Sequence, residues 1–229
     1  MSVGDNVRRL REEIHEAALE SGRAGSDICL VAATKTQSAD TVREAIAAGV
    51  DACGENRVQE LTEKSARGAY QGAGLHFIGH LQKNKVRKVA GTVDLVQSVD
   101  SIELLQAIDR AAGEFGIVQE TLIQVNIGRD PSKFGVYAPT LESFLEQAAG
   151  LAHIRVRGLM TILPISADER QNRRLFAQMN QVYVDIRRKT YHNVRMDFLS
   201  MGMSGDFRDA ILEGANMIRV GSTIFGNRD

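Results

Sequence analysis

Residues 28–53 read ICLVAATKTQSADTVREAIAAGVDAC, and their pattern decides the fold class. The apolar run that opens the stretch predicts a buried strand, and Ser38 predicts the N-cap of a following helix. The apolar residues of that helix recur at three- and four-residue spacing, at Val42, Ala45 and Ile46. Gly49 marks the end of the helix, and a second apolar run, 50–53, follows directly. The stretch is therefore one strand and helix unit followed by the next strand.

The same cycle of strand and helix repeats along the chain. Short apolar runs predict eight strands, at 28–33, 50–53, 76–78, 93–97, 121–126, 156–160, 196–200 and 217–220. A helix before the first strand is predicted by the spacing of Val7, Leu10, Ile14, Ala17 and Ala18. Eight such units in 229 residues, with no linker rich in Pro, Gly or Ser, favour a closed barrel over an open doubly wound sheet. We therefore expect the α/β class, as a single-domain (β/α)8 TIM barrel over residues 1–229 with an extra N-terminal helix.

Composition excludes several classes of function. The chain carries 28 Lys and Arg against 29 Asp and Glu, a formal net charge of −1, so no overall field attracts nucleic acid or an anionic membrane. The sequence contains no apolar run long enough for a membrane span, and its first residues mix charged with apolar side chains, unlike a secretory signal. Cys29, Cys53, His76 and His80 lack the spacing of a zinc or disulfide framework. We expect a cytoplasmic protein that binds no metal, nucleic acid or membrane.

The chemically unusual residues follow the predicted strands, where a TIM barrel builds its active face. Lys35 comes directly after the first strand, which would place its amine at the barrel mouth, partly removed from water. Partial desolvation favours the neutral amine, the nucleophile that forms Schiff bases with aldehydes such as pyridoxal phosphate. The alternative is a lysine that ends a strand and points to solvent, and position alone does not separate the two.

Two pairs of small residues predict an anion site near the end of the chain. Ser204-Gly205 opens a predicted helix after the seventh strand, and Gly221-Ser222 follows the eighth. Barrels often bind phosphate with the backbone N–H groups of these two loops, although ordinary turns would use the same residues. Arg219 alternates into the barrel, where its guanidinium needs an acceptor; a buried ion pair would satisfy it equally well.

Several motifs make the chain similar to a known family. They are Ala33-Thr34-Lys35-Thr36, Gly54-Glu55-Asn56 with Val58-Gln59-Glu60, His76-Phe77-Ile78-Gly79 with Leu81-Gln82 and Asn84-Lys85, Gly158-Leu159-Met160, Ser200-Met201-Gly202-Met203-Ser204, and Arg219-Val220-Gly221 with Ile224-Phe225-Gly226. The chain resembles the YggS/PROSC family of pyridoxal 5′-phosphate (PLP) homeostasis proteins, which look like the barrel domain of fold-type III alanine racemases. It departs from the family at Gln37-Ser38, where many relatives carry Lys-Pro, and at His80, where others carry Pro or another residue.

The resemblance implies PLP as the cofactor, held as a Schiff base by Lys35. It also implies that Ser204, Gly221 and Ser222 bind the phosphate and that Arg219 faces the pyridine nitrogen. By the same resemblance, Asn56 and Met203 line the ring pocket.

The resemblance further implies a protein that buffers PLP or delivers it to PLP-dependent apo-enzymes, without established turnover. We expect a monomer, and we expect it to lack the β-rich second domain that supplies a catalytic tyrosine in alanine racemases. An arginine opposite the ring nitrogen donates a hydrogen bond and leaves that nitrogen unprotonated, which weakens the electron sink. A small PLP-dependent racemase or lyase is the second hypothesis. The third is a barrel enzyme that acts on a phosphorylated metabolite, with Lys35 as base or Schiff-base former.

Overall fold

The computed structural model describes residues 2–164 and 168–226, and within these ranges eight parallel strands close into one barrel in sequential order. The strands are β1 Cys29–Ala33, β2 Ala52–Glu55, β3 Gly74–Phe77, β4 Leu95–Val99, β5 Gln119–Gln124, β6 Ile154–Met160, β7 Val194–Ser200 and β8 Met217–Val220. The predicted (β/α)8 TIM barrel is confirmed, and the predicted strand ends differ from the observed ones by at most two residues.

The helices of the described ranges precede the barrel, connect its strands and follow the last one. They are α1 Val3–Glu20, α2 Ala39–Ala47, α3 Val58–Ala66, α4 Ile102–Glu114, α5 Leu141–Ala148, α6 Glu169–Arg187, α7 Phe207–Leu212 and α8 Ser222–Phe225. Ser38 caps α2 as predicted, because its hydroxyl accepts the Thr41 N–H at 3.1 Å, and Gly49 follows the helix with a φ of +101°. The connection between β3 and β4 is a 3₁₀ stretch, Lys83–Lys88.

The core has two layers because the side chains of a strand alternate between its faces. Outward-facing residues such as Leu30 and Ala32 pack against the helices, and the five apolar residues predicted for α1 are all buried in this outer layer. A smaller apolar cluster fills the inside of the barrel, formed by Val31, Ala52, Leu95, Leu122, Met160 and Met217. The barrel is therefore packed inside, and its carboxyl end can carry a site.

A chain of hydrogen bonds crosses the barrel interior from β8 to β3. Arg219 Nη1 donates to Ser200 Oγ at 2.5 Å, and Ser200 Oγ donates to Gln97 Oε1 at 2.7 Å. The next link joins Gln97 Nε2 to His76 Nδ1 at 2.9 Å. Burial lowers the pKa of His76 to about 4, so its ring is neutral near pH 7 and Nδ1 accepts from the Gln97 amide. These buried polar groups satisfy one another and fix the direction in which Arg219 points.

Strand β6 depends on a glycine at position 158. The register of β6 against β5 and against β7 shifts beside Gly158, as at a β-bulge. Its φ is +150°, and a Cβ at this position would collide with the carbonyl oxygen of Phe198 on β7. A side chain here would have to push two neighbouring strands apart.

We predict that Gly158→Ala lowers the free energy of unfolding by about 3 kcal/mol or more, because it adds both backbone strain and a clash with β7. Urea denaturation followed by circular dichroism measures the loss. Gly150→Ala is the matched control: the added methyl carbon would lie 3.5 Å from the Gln147 carbonyl oxygen, an ordinary contact, and the effect should stay within about 1 kcal/mol. Equal losses for the two variants would contradict this account of β6.

A second pair of variants tests the interior hydrogen-bond chain. Ser200→Ala removes the hydroxyl that accepts from Arg219 and donates to Gln97 Oε1, so the free energy of unfolding should fall by about 2 kcal/mol. Ser98 is equally buried, but within the described ranges its hydroxyl has no hydrogen-bond partner. Ser98→Ala should therefore leave stability unchanged or raise it slightly. Urea midpoints that fall by the same amount for both variants would show that the interior hydrogen bonds contribute nothing to the free energy of unfolding.

Candidate active site

Lys35 lies in a tight turn at the carboxyl end of β1. The Thr34 N–H donates to the Gly54 carbonyl oxygen of β2 at 2.9 Å, and the Gln37 N–H donates back to the Thr34 carbonyl oxygen at 3.1 Å. Lys35 and Thr36 are the two central residues of this turn, and Thr36 has a φ of +66°. Type II turns require a positive φ at that position and usually place glycine there. The turn presents Lys35 at the end of the barrel, and Thr36 carries backbone strain.

A cavity of about 600 Å³ opens at this end of the barrel, between the loops that follow β1, β7 and β8. It brings together six of the seven residues predicted for the binding site, namely Lys35, Met203, Ser204, Arg219, Gly221 and Ser222. Phe225 and Gly226 complete the wall formed by α8 and its end. Residues from opposite ends of the sequence thus share one cavity, as expected for residues that follow the strands of a barrel.

Asn56 lies in a different place. It lines a second cavity, of about 670 Å³, between α3 and the 3₁₀ stretch, together with Arg57, His80 and Lys85. Its Oδ1 is buried and has no hydrogen-bond partner within the described ranges. The backbone of Asn56 lies against Gly79, where a Cβ would collide with it. The ring-pocket role that the resemblance implies for Asn56 stays a prediction.

The loops after β7 and β8 are joined by Ser204. Its Oγ accepts the N–H of Gly221 at 3.1 Å and the N–H of Thr223 at 3.5 Å. The space beside the Gly205 Cα is empty, because a Cβ built there would have no atom within 4 Å. The wall between the two loops therefore combines a serine hydroxyl with small residues, and the N–H groups of Gly221 and Thr223 donate to that hydroxyl. Serine hydroxyls and backbone N–H groups are the donors that anion sites use.

Arg219 is the buried cation of the cavity. Its Nη1 donates to the Ser200 hydroxyl, and its Nη2 donates to the Thr161 carbonyl oxygen at 2.7 Å. Burial lowers the pKa of Arg219 to about 10, against the opposing effect of the Asp206 carboxylate, so the guanidinium stays charged at pH 7. These hydrogen bonds run to neutral acceptors rather than to a carboxylate. The cavity thus contains a fixed positive charge that can donate to a ligand.

Sequence reasoning missed a polar cluster on the outer side of the barrel wall, behind Lys35. Lys64 forms ion pairs with Glu55 and Glu60, and the Tyr70 hydroxyl also donates to Glu55. The available signal was the spacing of Glu60 and Lys64, four residues apart on one helix. That spacing is common on exposed helix faces, so it did not indicate a contact with the turn that carries Lys35.

The described residues contain neither a metal-binding cluster nor a membrane-spanning helix. Within 2–164 and 168–226, no group of three or more His, Cys, Asp or Glu side chains is arranged to hold a metal ion. In the same part of the chain, no helix has the length and apolar content needed to cross a membrane.

His80, a departure from the family pattern, stacks on Phe134 with ring centroids 3.7 Å apart, and its Nδ1 lies 3.0 Å from Asp100 Oδ2.

Comparison with known proteins agrees with the sequence motifs. Residues 6–229 match the family described as the alanine racemase N-terminal domain. The pyridoxal phosphate homeostasis protein of Aquifex aeolicus (strain VF5) is 36% identical over 228 residues, which cover 100% of this chain and 99% of that protein. The structure of PipY from Synechococcus elongatus PCC7942 with PLP bound gives a TM-score of 0.86 at 34% identity, covering 98% of this chain and 100% of PipY.

A more distant likeness extends to alanine racemase of Clostridium difficile 630. The TM-score is 0.78 at 15% identity, over 98% of this chain and 57% of the racemase, and this likeness concerns the fold alone. The resemblance predicted from the sequence motifs is confirmed, and the chain belongs to the family of pyridoxal phosphate homeostasis proteins.

Proposed function

We propose that this protein binds PLP as a Schiff base with Lys35 and takes part in the intracellular homeostasis of that cofactor. The observation that carries the proposal is the single cavity that joins Lys35, Arg219 and the Ser204 and Gly221 loops. PLP has three polar groups, an aldehyde, a phosphate and a pyridine nitrogen. The cavity offers a partner of suitable chemistry for each of them.

Each part of the cavity would have a separate task. The amine of Lys35 would bind the aldehyde carbon, because a lysine amine is the side chain that forms Schiff bases. The Ser204 hydroxyl and the N–H groups of Gly221 and Ser222 would hold the phosphate, the Gly221 N–H leaving its contact with Ser204 Oγ to do so, and Met203 would line the ring pocket. Arg219, already held by neutral acceptors, would donate to the pyridine nitrogen. The proposal that Asn56 also lines the ring pocket rests on the family resemblance alone.

The character of Arg219 favours binding over catalysis. Bound PLP supplies an electron sink for reactions at the α-carbon of amino acids, and the sink is strongest when the ring nitrogen is protonated. Arg219 remains a charged donor at pH 7, so a nitrogen facing it would accept a hydrogen bond and stay unprotonated. A protein with this arrangement suits storage and transfer better than rapid racemisation.

The names of the relatives support the wider role. The Aquifex relative is named a pyridoxal phosphate homeostasis protein, and PipY was solved with PLP bound. We therefore propose a single-domain, monomeric, cytoplasmic protein that buffers PLP or delivers it to PLP-dependent apo-enzymes.

We predict that borohydride reduction of the protein with PLP fixes one cofactor on Lys35. Mass spectrometry of peptides locates the adduct, and the visible absorption band should disappear on reduction. Lys35→Ala should fold, because the side chain is half-buried at a barrel end and leaves no core cavity, but should give neither band nor adduct there. Lys85→Ala, in the second cavity, serves as the matched control and should retain both. An adduct on Lys85 or Lys133 with Lys35 unmodified would refute the assignment.

We also predict that PLP binds at least about 100-fold more tightly than pyridoxal, because two or three charge-assisted hydrogen bonds of about 1.5 to 3 kcal/mol each hold the phosphate. Ser204→Ala should weaken PLP binding about 10-fold and leave pyridoxal binding nearly unchanged. Fluorescence or absorbance titration of the two ligands measures both effects. Equal affinity of the wild-type protein for PLP and pyridoxal would eliminate the phosphate site.

A further inference from the structure

The turn that carries Lys35 is held from outside the barrel by two residues of α3. The ammonium of Lys64 donates to the carbonyl oxygen of Thr34, just before Lys35, at 2.7 Å. The carboxylate of Glu60 accepts the N–H of Thr36, just after Lys35, at 2.6 Å. Lys64 Nζ and Glu60 Oε2 lie 3.3 Å apart, so two side chains that contact each other bond the backbone on both sides of Lys35.

Lys64 is itself fixed by a buried carboxylate. Its Nζ lies 2.7 Å from Glu55 Oε1, which also accepts from the Thr34 hydroxyl at 2.6 Å and from the Tyr70 hydroxyl at 2.9 Å. Glu55 is fully buried and Lys64 is 7% exposed. Burial raises the pKa of Tyr70 well above its usual range, so its hydroxyl keeps the proton that it donates. The Lys64 ammonium that donates to the Thr34 carbonyl oxygen is therefore held in place by Glu55.

Glu60 acts at the strained residue of the turn. Thr36 has a φ of +66°, a conformation that a β-branched residue adopts only when its surroundings hold it there. Burial opposes ionisation of Glu60, but the Thr36 N–H and the Lys64 ammonium outweigh that effect and lower the pKa of the carboxyl. Glu60 is thus an anion that accepts the N–H of Thr36, the residue of the turn with the strained backbone.

We infer that Glu60 and Lys64 are positioning residues for Lys35: their hydrogen bonds to the Thr36 N–H and the Thr34 carbonyl oxygen hold the turn in the conformation that presents the Lys35 amine to the cavity. The chemistry assigned to Lys35 rests on the proposed function. The hold on the turn rests only on the contacts above. Without the Glu60 contact, Thr36 can leave its strained conformation, and the backbone of Lys35 loses its fixed direction.

The experiment compares Glu60→Ala, Glu60→Gln and Glu60→Asp in the full chain. Gln keeps an oxygen that can accept the Thr36 N–H, whereas Asp keeps the charge on an arm too short to reach it from the same backbone position. Glu63→Ala is the matched control, since it removes one carboxylate of the same helix, which accepts from Gln59 rather than from the turn. Urea denaturation verifies that each variant is folded. If Glu60→Ala does not fold, the comparison rests on Glu60→Asp.

Two readouts are needed, one of them independent of PLP. Hydrogen exchange of a peptide that contains residues 34–37, measured on protein without PLP, reports on the turn. The rate at which borohydride traps PLP on Lys35, at fixed PLP concentration, reports on the amine. We expect Glu60→Ala and Glu60→Asp to speed exchange about 10-fold and to slow trapping about 10-fold. Glu60→Gln and Glu63→Ala should match the wild-type protein in both measurements.

The possible outcomes separate the two proposals. Unchanged exchange and trapping in Glu60→Ala and Glu60→Asp would overturn the positioning role while leaving PLP binding intact. Equal changes in Glu63→Ala would overturn it as well, since the effect would then belong to the helix charge. A wild-type protein that gives no adduct at Lys35 would overturn the proposed function, and the exchange result would still support or refute the hold on the turn.

Discussion

Closure of the parallel barrel is the constraint on which the candidate site depends. β1 pairs with β8 in a register that places Val31 beside Arg219, and this pairing completes the ring. Because all strands run in the same direction, their carboxyl ends share one edge. A Cβ at Gly221 would lie 3.4 Å from the Ala33 side chain, so the loop after the last strand lies against the carboxyl end of the first. Lys35 and the loop of Gly221 and Ser222, from opposite ends of the sequence, share a cavity for this reason.

Much of this arrangement could be predicted from the sequence because it depends on periodicity. Apolar spacing located every strand, and alternation along β8 placed Arg219 inside the barrel before any contact was known. Lys35, Ser204 and Gly221 were predicted to lie at one end of the barrel because they follow strands, and they line one cavity there. Where Asn56 lies could not be predicted in the same way. Strand order fixes the edge at which a loop begins, but the backbone contact with Gly79 and the packing of α3 decide which cavity its side chain enters.

The polar cluster behind Lys35 escaped prediction for a related reason. Thr34 and Lys35 are neighbours in sequence, yet Thr34 faces Glu55 and Lys64 on the outer side of the barrel wall, whereas Lys35 lines the cavity at its end. The contact between Lys64 and Thr34 joins residues thirty positions apart through the packing of α3 against the β1 turn. Helical spacing shows that Glu60 and Lys64 can pair, but it carries no information about which backbone groups lie beside them.

The buried ion pair of Lys64 and Glu55 has to be explained by something other than stability. Removing two charges from water costs about as much as their attraction returns, and apolar residues of similar volume often stabilise a protein equally well. Apolar side chains in place of this pair, however, could not donate to the Thr34 carbonyl oxygen, as Lys64 does, and would leave Glu60 without its neighbouring ammonium. The strained φ of Thr36 makes the contact from Glu60 to its N–H necessary, because an unsupported threonine would relax toward a negative φ. The hydrogen bonds from Glu60 and Lys64 of α3 therefore determine the direction of a turn, and through the turn the position of the lysine that it carries.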